Sequence, residues 1–396
     1  MYTVLYTCTT LIIPISAVCT APLLPGFIIW VPIVLAFLWC ISIDRVTTRA
    51  FGFPRILFDD ISSGSVEVNT VVLGGGWSAF LSRRMFSGRV VSSAQHTGEV
   101  SMNLWKSGTR IREVQRALSK RGQTLAGTPS ISEATIGGWL FTNSHGSGGE
   151  LWTPAFGDVT VYNTHSHQLE VGKKKDFFSD AKSVDDQRRY VVMQASVLPV
   201  EDVVCHRHAF DICDLEASRR FFDPSTYLRM VFVDSRQALA YTWTPSRDDK
   251  PQVRNSRIYP WLVVIMPTFL SRRVPRALME TSEHLSIAND FAPTPPLWTG
   301  VFSFAYVNFE LFIKYTLTPE SLLHITTSLR NLFKSGVRGR CEIRYGRDKL
   351  FLDFAVRVSD PADYTKIFDC VQKNIGRPFT FHKGKFTPEK YLRSEI

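Results

Sequence analysis

The chain has 396 residues, 44% of them hydrophobic and 21% charged, which is ordinary for a globular protein and enough for more than one packed core. Its seven cysteines are odd in number and follow no framework spacing, so they read as reduced thiols rather than a disulfide scaffold. The formal charge of +10 is spread along the chain instead of gathered in a tail, which suits a basic surface, an anionic ligand or an anionic membrane surface and is only a weak nucleic-acid signal.

Met1 to Ile43 contains no Asp, Glu, Lys or Arg. A spanning helix needs about 20 apolar residues, and two apolar stretches, Tyr2 to Cys19 and Phe27 to Ile43, flank the turn signal APLLPG. Asp44 and Arg45, then Arg49 and Arg55, end the run. A cleaved signal peptide would want an early positive charge and a shorter core. Residues 1–46 therefore read as a membrane anchor of one or two helices. Positive flanks stay inside, which puts the remaining chain on the cytosolic side.

Beyond Phe51 short β-rich runs alternate with glycine turns. Val66–Leu73 and Arg89–Ser92 read as strands, and Gly108–Gly122 as a helix whose Ile111, Val114 and Leu118 share a face. Asp158–Val171 reads as a hairpin turning at Asn163–His167, and Arg188–Val200 as a further strand. From Glu201 a strand at Tyr259–Met266, a helix at Pro319–Phe333, a hairpin at Arg340–Val358 turning near Gly346–Asp348 and a helix at Ala362–Asn374 follow. That succession predicts an antiparallel sheet covered on one face by helices, and an α+β fold for the whole chain.

Two glycine-rich elements carry the chemistry. The strand ending at Leu73 runs into Gly74, Gly75, Gly76, Trp77 and Ser78. Ordering three glycines costs backbone entropy, which a close ligand approach justifies: bare N–H groups form a concave anion site. The second element, from Gly127 to Gly149, packs Gly137, Gly138, Gly146, Gly148 and Gly149 among Thr135, Thr142, Ser144 and Ser147. Two such elements do not fit a Rossmann unit, which has one glycine turn and then an acidic residue. They suit a long cofactor held by backbone.

With these motifs in hand, Val71 to Val200 resembles the FAD-binding domain of the vanillyl-alcohol-oxidase (PCMH-type) superfamily, and within it the aldonolactone oxidases (gulonolactone and arabinonolactone oxidases). The segment GGGWS is similar to the family's G-G-G-H-S loop. SGTRIREVQRALSKRG is similar to its next glycine and helix, and TIGGWLFTNSHGSGG to its T-[IV]-G-G-x-[LI]-x-T-x-x-H-G element. Glu342–Ile343–Arg344 resembles the family's Glu-x-Arg on a cap strand, and FHKGKF (Phe381 to Phe386) its His-x-[GA]-Lys.

The resemblance implies a two-subdomain FAD-binding domain over residues 47–200, a substrate-binding α+β cap over 201–375 and a C-terminal segment, 376–396, returning to the flavin. FAD would be held by Gly74, Gly75, Gly76, Trp77, Ser78, Thr135, Gly137, Gly138, Thr142, His145, Gly146, Ser147 and Val192. Glu342 and Arg344 would orient a sugar lactone, Lys385 would stabilise the reduced flavin, and His382 would shape the pocket. Hydride would pass to the flavin, with oxygen or an electron carrier as acceptor. The strand reading of Glu342 and Arg344 alone leaves a salt bridge between alternate residues open.

The chain departs from the family's pattern at three places. Trp77 stands where relatives carry the histidine that links flavin covalently, and indole cannot make that bond, so FAD is expected to be non-covalent. Val184 to Val197 lacks the family's glycines and brings Arg188 and Arg189 to the approach. A helical tail usual in the family is also missing, which implies a reduced member. These departures motivate an alternative: a membrane protein that keeps the flavoprotein fold, is not catalytic and has lost FAD. Cys205, His206, His208 and Cys213 have irregular spacing and no partner cluster, so no metal is expected. Thr164–His167 sits at a hairpin tip.

Overall fold

The structure, a computed structural model, describes residues 71–73, 90–93, 96–125, 127–129, 134–146, 155–178, 189–247, 281–288, 307–346, 348–357 and 362–382. The expected membrane anchor, the strand at Tyr259–Met266, the loop Gly74–Ser78, Ser147 and Lys385 lie outside them. Among the described residues no helix is long and apolar enough to cross a membrane.

The N-terminal half opens with β1 (Val71–Leu73) and β2 (Val90–Ser92), paired in parallel. It continues through β3 (Glu99–Ser101), β4 (Leu104–Lys106), helix α1 (Ile111–Ser119), β5 (Gln123–Leu125), helix α2 (Ile136–Thr142), β6 (Phe156–Asn163), β7 (Gln168–Lys173), the single turn α3 (Lys174–Phe177) and β8 (Tyr190–Val197). Five of the strands form an antiparallel sheet in the order β3-β4-β8-β6-β7.

Ile111, Val114 and Leu118 of α1 are fully buried, and the chain leaves this helix through Gly122 at φ 69°. That left-handed conformation is the one glycine adopts without penalty. The β6–β7 turn is held by Asn163, whose Oδ1 accepts from His165 N at 3.0 Å and Ser166 N at 3.4 Å, an Asx turn. The core joins Trp105, α1, Ile136, Trp139 and Leu140 of α2 to the inner faces of β6 and β8.

The C-terminal half begins at β9 (Pro199–Glu201), which pairs back to β5. It adds β10 (Val204–Asp211), α4 (Leu215–Phe221), β11 (Leu228–Val233), β12 (Ala238–Pro245), β13 (Thr281–His284), α5 (Leu285–Ala288), β14 (Val307–Lys314), α6 (Pro319–Lys334), β15 (Arg338–Gly346), β16 (Lys349–Arg357), α7 (Ala362–Ile375) and β17 (Phe379–Phe381). The eight strands from β10 to β17 make one sheet in the order β13-β10-β12-β11-β15-β16-β14-β17, antiparallel at each described pairing. β17, which follows α7 late in the chain, forms one edge against β14.

Strand alternation sorts this sheet into two faces. Phe309, Leu311, Ile313, Cys341, Ile343, Leu350, Leu352 and Phe354 pack in one core with Leu322, Ile325 and Leu329 of α6 and Ile367, Phe368 and Val371 of α7. The residues between them in sequence, among them Glu310, Glu342, Arg344, Phe351 and Asp353, occupy the opposite face.

Candidate active site

Two cross-strand rows on the face opposite α6 and α7 define the site. In the first, Phe232, Glu342, Asp353 and Glu310 are register partners along β11, β15, β16 and β14. In the second, Met230, Arg344, Phe351 and Phe312 are partners along the same strands. Three carboxylates side by side repel one another and are costly to bury. Arg344 answers that cost: its Nε donates to Glu342 Oε1 at 2.6 Å, and its Nη2 lies 3.8 Å from Asp353 Oδ2. Burial works against the guanidinium's charge, and the carboxylates of Glu342, Glu310 and Asp353 overcome it, holding the pKa above the ordinary arginine value.

The second glycine element reaches this face through His145. Helix α2 closes at Asn143, which is left-handed at φ 51°, and His145 follows two residues later. His145 is buried, its ring stacks on Phe351 with centroids 3.4 Å apart, and its backbone oxygen accepts from Arg344 Nη1 at 3.1 Å. Nε2 lies 2.6 Å from Oε1 of Glu310, a carboxylate only 1% exposed. The His382 ring sits 5.9 Å from the His145 ring, and its backbone N donates to Glu310 O at 2.9 Å.

The glycines serve close approach of backbone to backbone. A Cβ on Gly108 would lie 1.9 Å from Ser93 O, and one on Gly146 would lie 1.9 Å from Thr128 O. Gly137 N donates to Ser107 O at 2.8 Å, Gly138 N to Thr135 Oγ1 at 3.2 Å, and Gly146 N to Gly127 O at 3.0 Å. Thr142 Oγ1 donates to Gly138 O at 2.8 Å. These amides are thus engaged within the protein. The ends of β2 and β4 and the start of α2 are drawn together by these contacts.

One group at that junction is unsatisfied. Ser107 Oγ is buried with no hydrogen-bond partner among the described residues. A buried hydroxyl left unpaired costs about 1–3 kcal/mol, and it stands beside the glycine-lined junction where a cofactor oxygen would be its partner. The residues present therefore fit an FAD.

Of the residues expected from sequence, His145, Glu342, Arg344 and His382 are brought together. Thr135, Gly137, Gly138, Thr142 and Gly146 build the α2 support beneath them. Val192 lies inside the core shared with Trp105 and Tyr190. Glu342 and Arg344 do form the ion pair that strand alternation suggested, and the same pair faces the glycine motif. Glu310, Asp353 and Phe351 were missed. Glu310 and Asp353 each stand as one carboxylate inside an apolar strand, VNFELFIK and KLFLDFAVR, and become conspicuous only when strand register sets them side by side. His206 and His208, whose rings are 4.6 Å apart, bond instead to hydroxyls: His206 Nδ1 to Ser282 Oγ at 3.2 Å and His208 Nε2 to Thr244 Oγ1 at 3.1 Å.

Residues 66–162 match a sequence family described as an FAD binding domain. No curated protein matches the chain in sequence. In fold, the chain is similar to cholesterol oxidase from B. sterolicum, with TM-score 0.58, 11% identity, and 83% of this chain and 81% of that chain covered. A solvent-stable cholesterol oxidase gives TM-score 0.53 at 11% identity, covering 84% and 83%. A chitooligosaccharide oxidase gives TM-score 0.53 at 10% identity, covering 83% and 79%. Residues 66–162 are thus similar to an FAD binding domain, the fold is shared with these oxidases, and the cofactor is FAD.

Proposed function

We propose that this chain is an FAD-dependent oxidoreductase that oxidises a hydroxyl-bearing carbon of a sugar lactone or related polyol. The single observation that carries this reading is the meeting of His145, from the glycine motif, with Glu342 and Arg344 of the cap in one buried cluster. Bound FAD supplies the redox chemistry, accepting a hydride from the substrate carbon. The chain's own residues bind and orient. Arg344, fixed by its carboxylates, presents a permanent positive charge where oxygen gains negative charge, which is preorganised electrostatic stabilisation. Glu342 is half-buried and accepts the hydrogen bond of the substrate hydroxyl. His382 and Phe351 wall the pocket and exclude water.

Lys385 is proposed at the reduced flavin, and Gly74–Ser78 at the pyrophosphate. Trp77 provides no covalent link, so FAD is released intact by acid. Oxygen or an electron carrier takes the electrons onward. Residues 1–46 are proposed as the anchor that keeps the catalytic part at the cytosolic side of a membrane, which the uncharged run from Met1 to Ile43 supports.

The test is a visible spectrum of detergent-purified protein. Absorption at about 450 nm that leaves with the acid supernatant is expected. Aldonolactones should bleach it anaerobically, and Glu342→Gln should slow the bleaching by about 100-fold. A colourless protein that takes up no added FAD overturns the proposal, and bleaching unchanged in Glu342→Gln overturns the site.

A further inference from the structure

We infer that His145 and Glu310 form a positioning pair that couples occupancy of the FAD site to the order of the substrate-side groups. The inference rests on the FAD reading above and extends it to Glu310, which no motif assigns, and to the contacts His145 makes with the C-terminal sheet. His145 is bound to the cap in three separate ways: by its backbone oxygen to Arg344 at 3.1 Å, by its ring on Phe351 at 3.4 Å, and by Nε2 to Glu310 at 2.6 Å. The same residue ends the segment whose glycines pack under the FAD junction, through Gly146 N on Gly127 O and Gly137 N on Ser107 O. A shift of this segment on FAD binding cannot leave the cap unaffected, because all three contacts are buried and close-packed.

The electrostatics point the same way. Glu310 closes the acidic row Glu342–Asp353–Glu310, and Arg344 directly contacts Glu342 and approaches Asp353. The ring nitrogen of His145 meets Glu310 at ion-pairing distance. Removing it would leave a buried carboxylate next to two others, and the row would relax by moving Arg344. Removing Glu310 would release the ring and, with it, the glycine segment. By reciprocity, whatever FAD does to the order of Glu342 and Arg344, those groups do to FAD affinity.

The experiment titrates apo-protein with FAD, read by quenching of flavin fluorescence, for the parent, Glu310→Leu, His145→Phe and the double variant. Phe keeps the stack on Phe351 and deletes the ring nitrogens. Each single change should weaken FAD binding about tenfold, and the double variant should be no worse than the worse single, because the groups act as a unit. His145→Gln, which restores a side-chain donor, should recover most of the loss. A purely packing role would instead be preserved by Phe and not by Gln.

The inference is overturned by FAD affinities within twofold of the parent in both singles, or by single effects that multiply in the double. If Glu310→Leu fails to fold by far-UV circular dichroism, Glu310→Gln takes its place in the same cycle. A parent that binds no FAD overturns the functional reading and this coupling with it. A parent that binds FAD alongside unaffected variants overturns the coupling alone.

Discussion

Single residues here are dictated by what lies within a few ångströms of them, and glycine shows it most plainly. A methyl group at Gly108 or Gly146 would lie 1.9 Å from a backbone oxygen, so Gly108→Ala or Gly146→Ala must push a main chain aside. Overpacking of that kind costs about 1–3 kcal/mol. Gly122 has open space around it and only its φ of +69° to protect, so Gly122→Ala should cost roughly 1 kcal/mol. Urea unfolding of the three variants should rank Gly122→Ala as the mildest, and the opposite order would show that the junction is loosely packed.

Arg344 follows from the same logic. Replacing it with Met strands Glu342 and Asp353 in a low-dielectric site, with an expected loss of about 3–5 kcal/mol in the same assay. In the sequence, the glycines were legible as a need for bare backbone, and His145, Glu342, Arg344 and His382 were legible through motif resemblance. Glu310 and Asp353 were not, because nothing local distinguishes a buried carboxylate from an exposed one until strand register sets it beside its neighbours. What approaches the glycines was also illegible. At positions 108, 137 and 146 it is the protein's own backbone.

Among elements, the helices were the easiest to read, since their boundaries rest on local chemistry. Thr318 caps α6 by accepting from Ser321 N at 3.2 Å, with Pro319 at the first helical position. Thr318→Ala should cost about 1 kcal/mol and Thr318→Ser much less, measured by chemical denaturation.

Helix α4 offers a pH-dependent counterpart. Asp214 Oδ1 accepts from Ala217 N at 2.8 Å, and this backbone hydrogen bond is the main cause that holds its carboxyl below the ordinary aspartate value. A carboxyl depressed in the folded state stabilises that state above its unfolded pKa, and the contribution is lost as pH falls through the folded value. Asp214→Ala should therefore be less stable than the parent at neutral pH, with the gap closing below pH 3.8. Equal stability across that window would show that the cap does not form in solution. The hairpins at residues 158–171 and 340–358 were readable from their turns. The order of strands within the eight-stranded sheet was not, because β10, β12 and β13 pair across long stretches of chain and β17 joins last.

At the scale of the molecule, the question is whether the FAD-binding half and the cap melt as one. Several buried or half-buried links join them within the described residues. β5 pairs with β9, and Asp202 N donates to Gly122 O at 2.9 Å. Asp202 is in turn tied within the C-terminal half, its carboxylate accepting from Ser286 N at 2.9 Å and Ser286 Oγ at 2.8 Å. The His145 contacts with Arg344, Phe351 and Glu310 form a second seam. A ligand that binds the native state alone stabilises it by RT ln(1 + [L]/Kd), about 2.7 kcal/mol at a hundredfold excess over Kd. If the two halves are one cooperative unit, that gain appears in every part of the melt. Calorimetry with saturating FAD should then show a single transition moved upward as a whole, and Trp105, in the N-terminal core, and Trp243, buried among β10, β11 and β12, should report the same midpoint when each is followed by fluorescence in variants lacking the other tryptophans. Two transitions with only the lower-numbered core shifted would mean that the seams are too weak to transmit binding. In that case His145→Phe would leave the FAD-induced shift of the Trp243 midpoint unchanged, whereas a cooperative unit requires it to shrink.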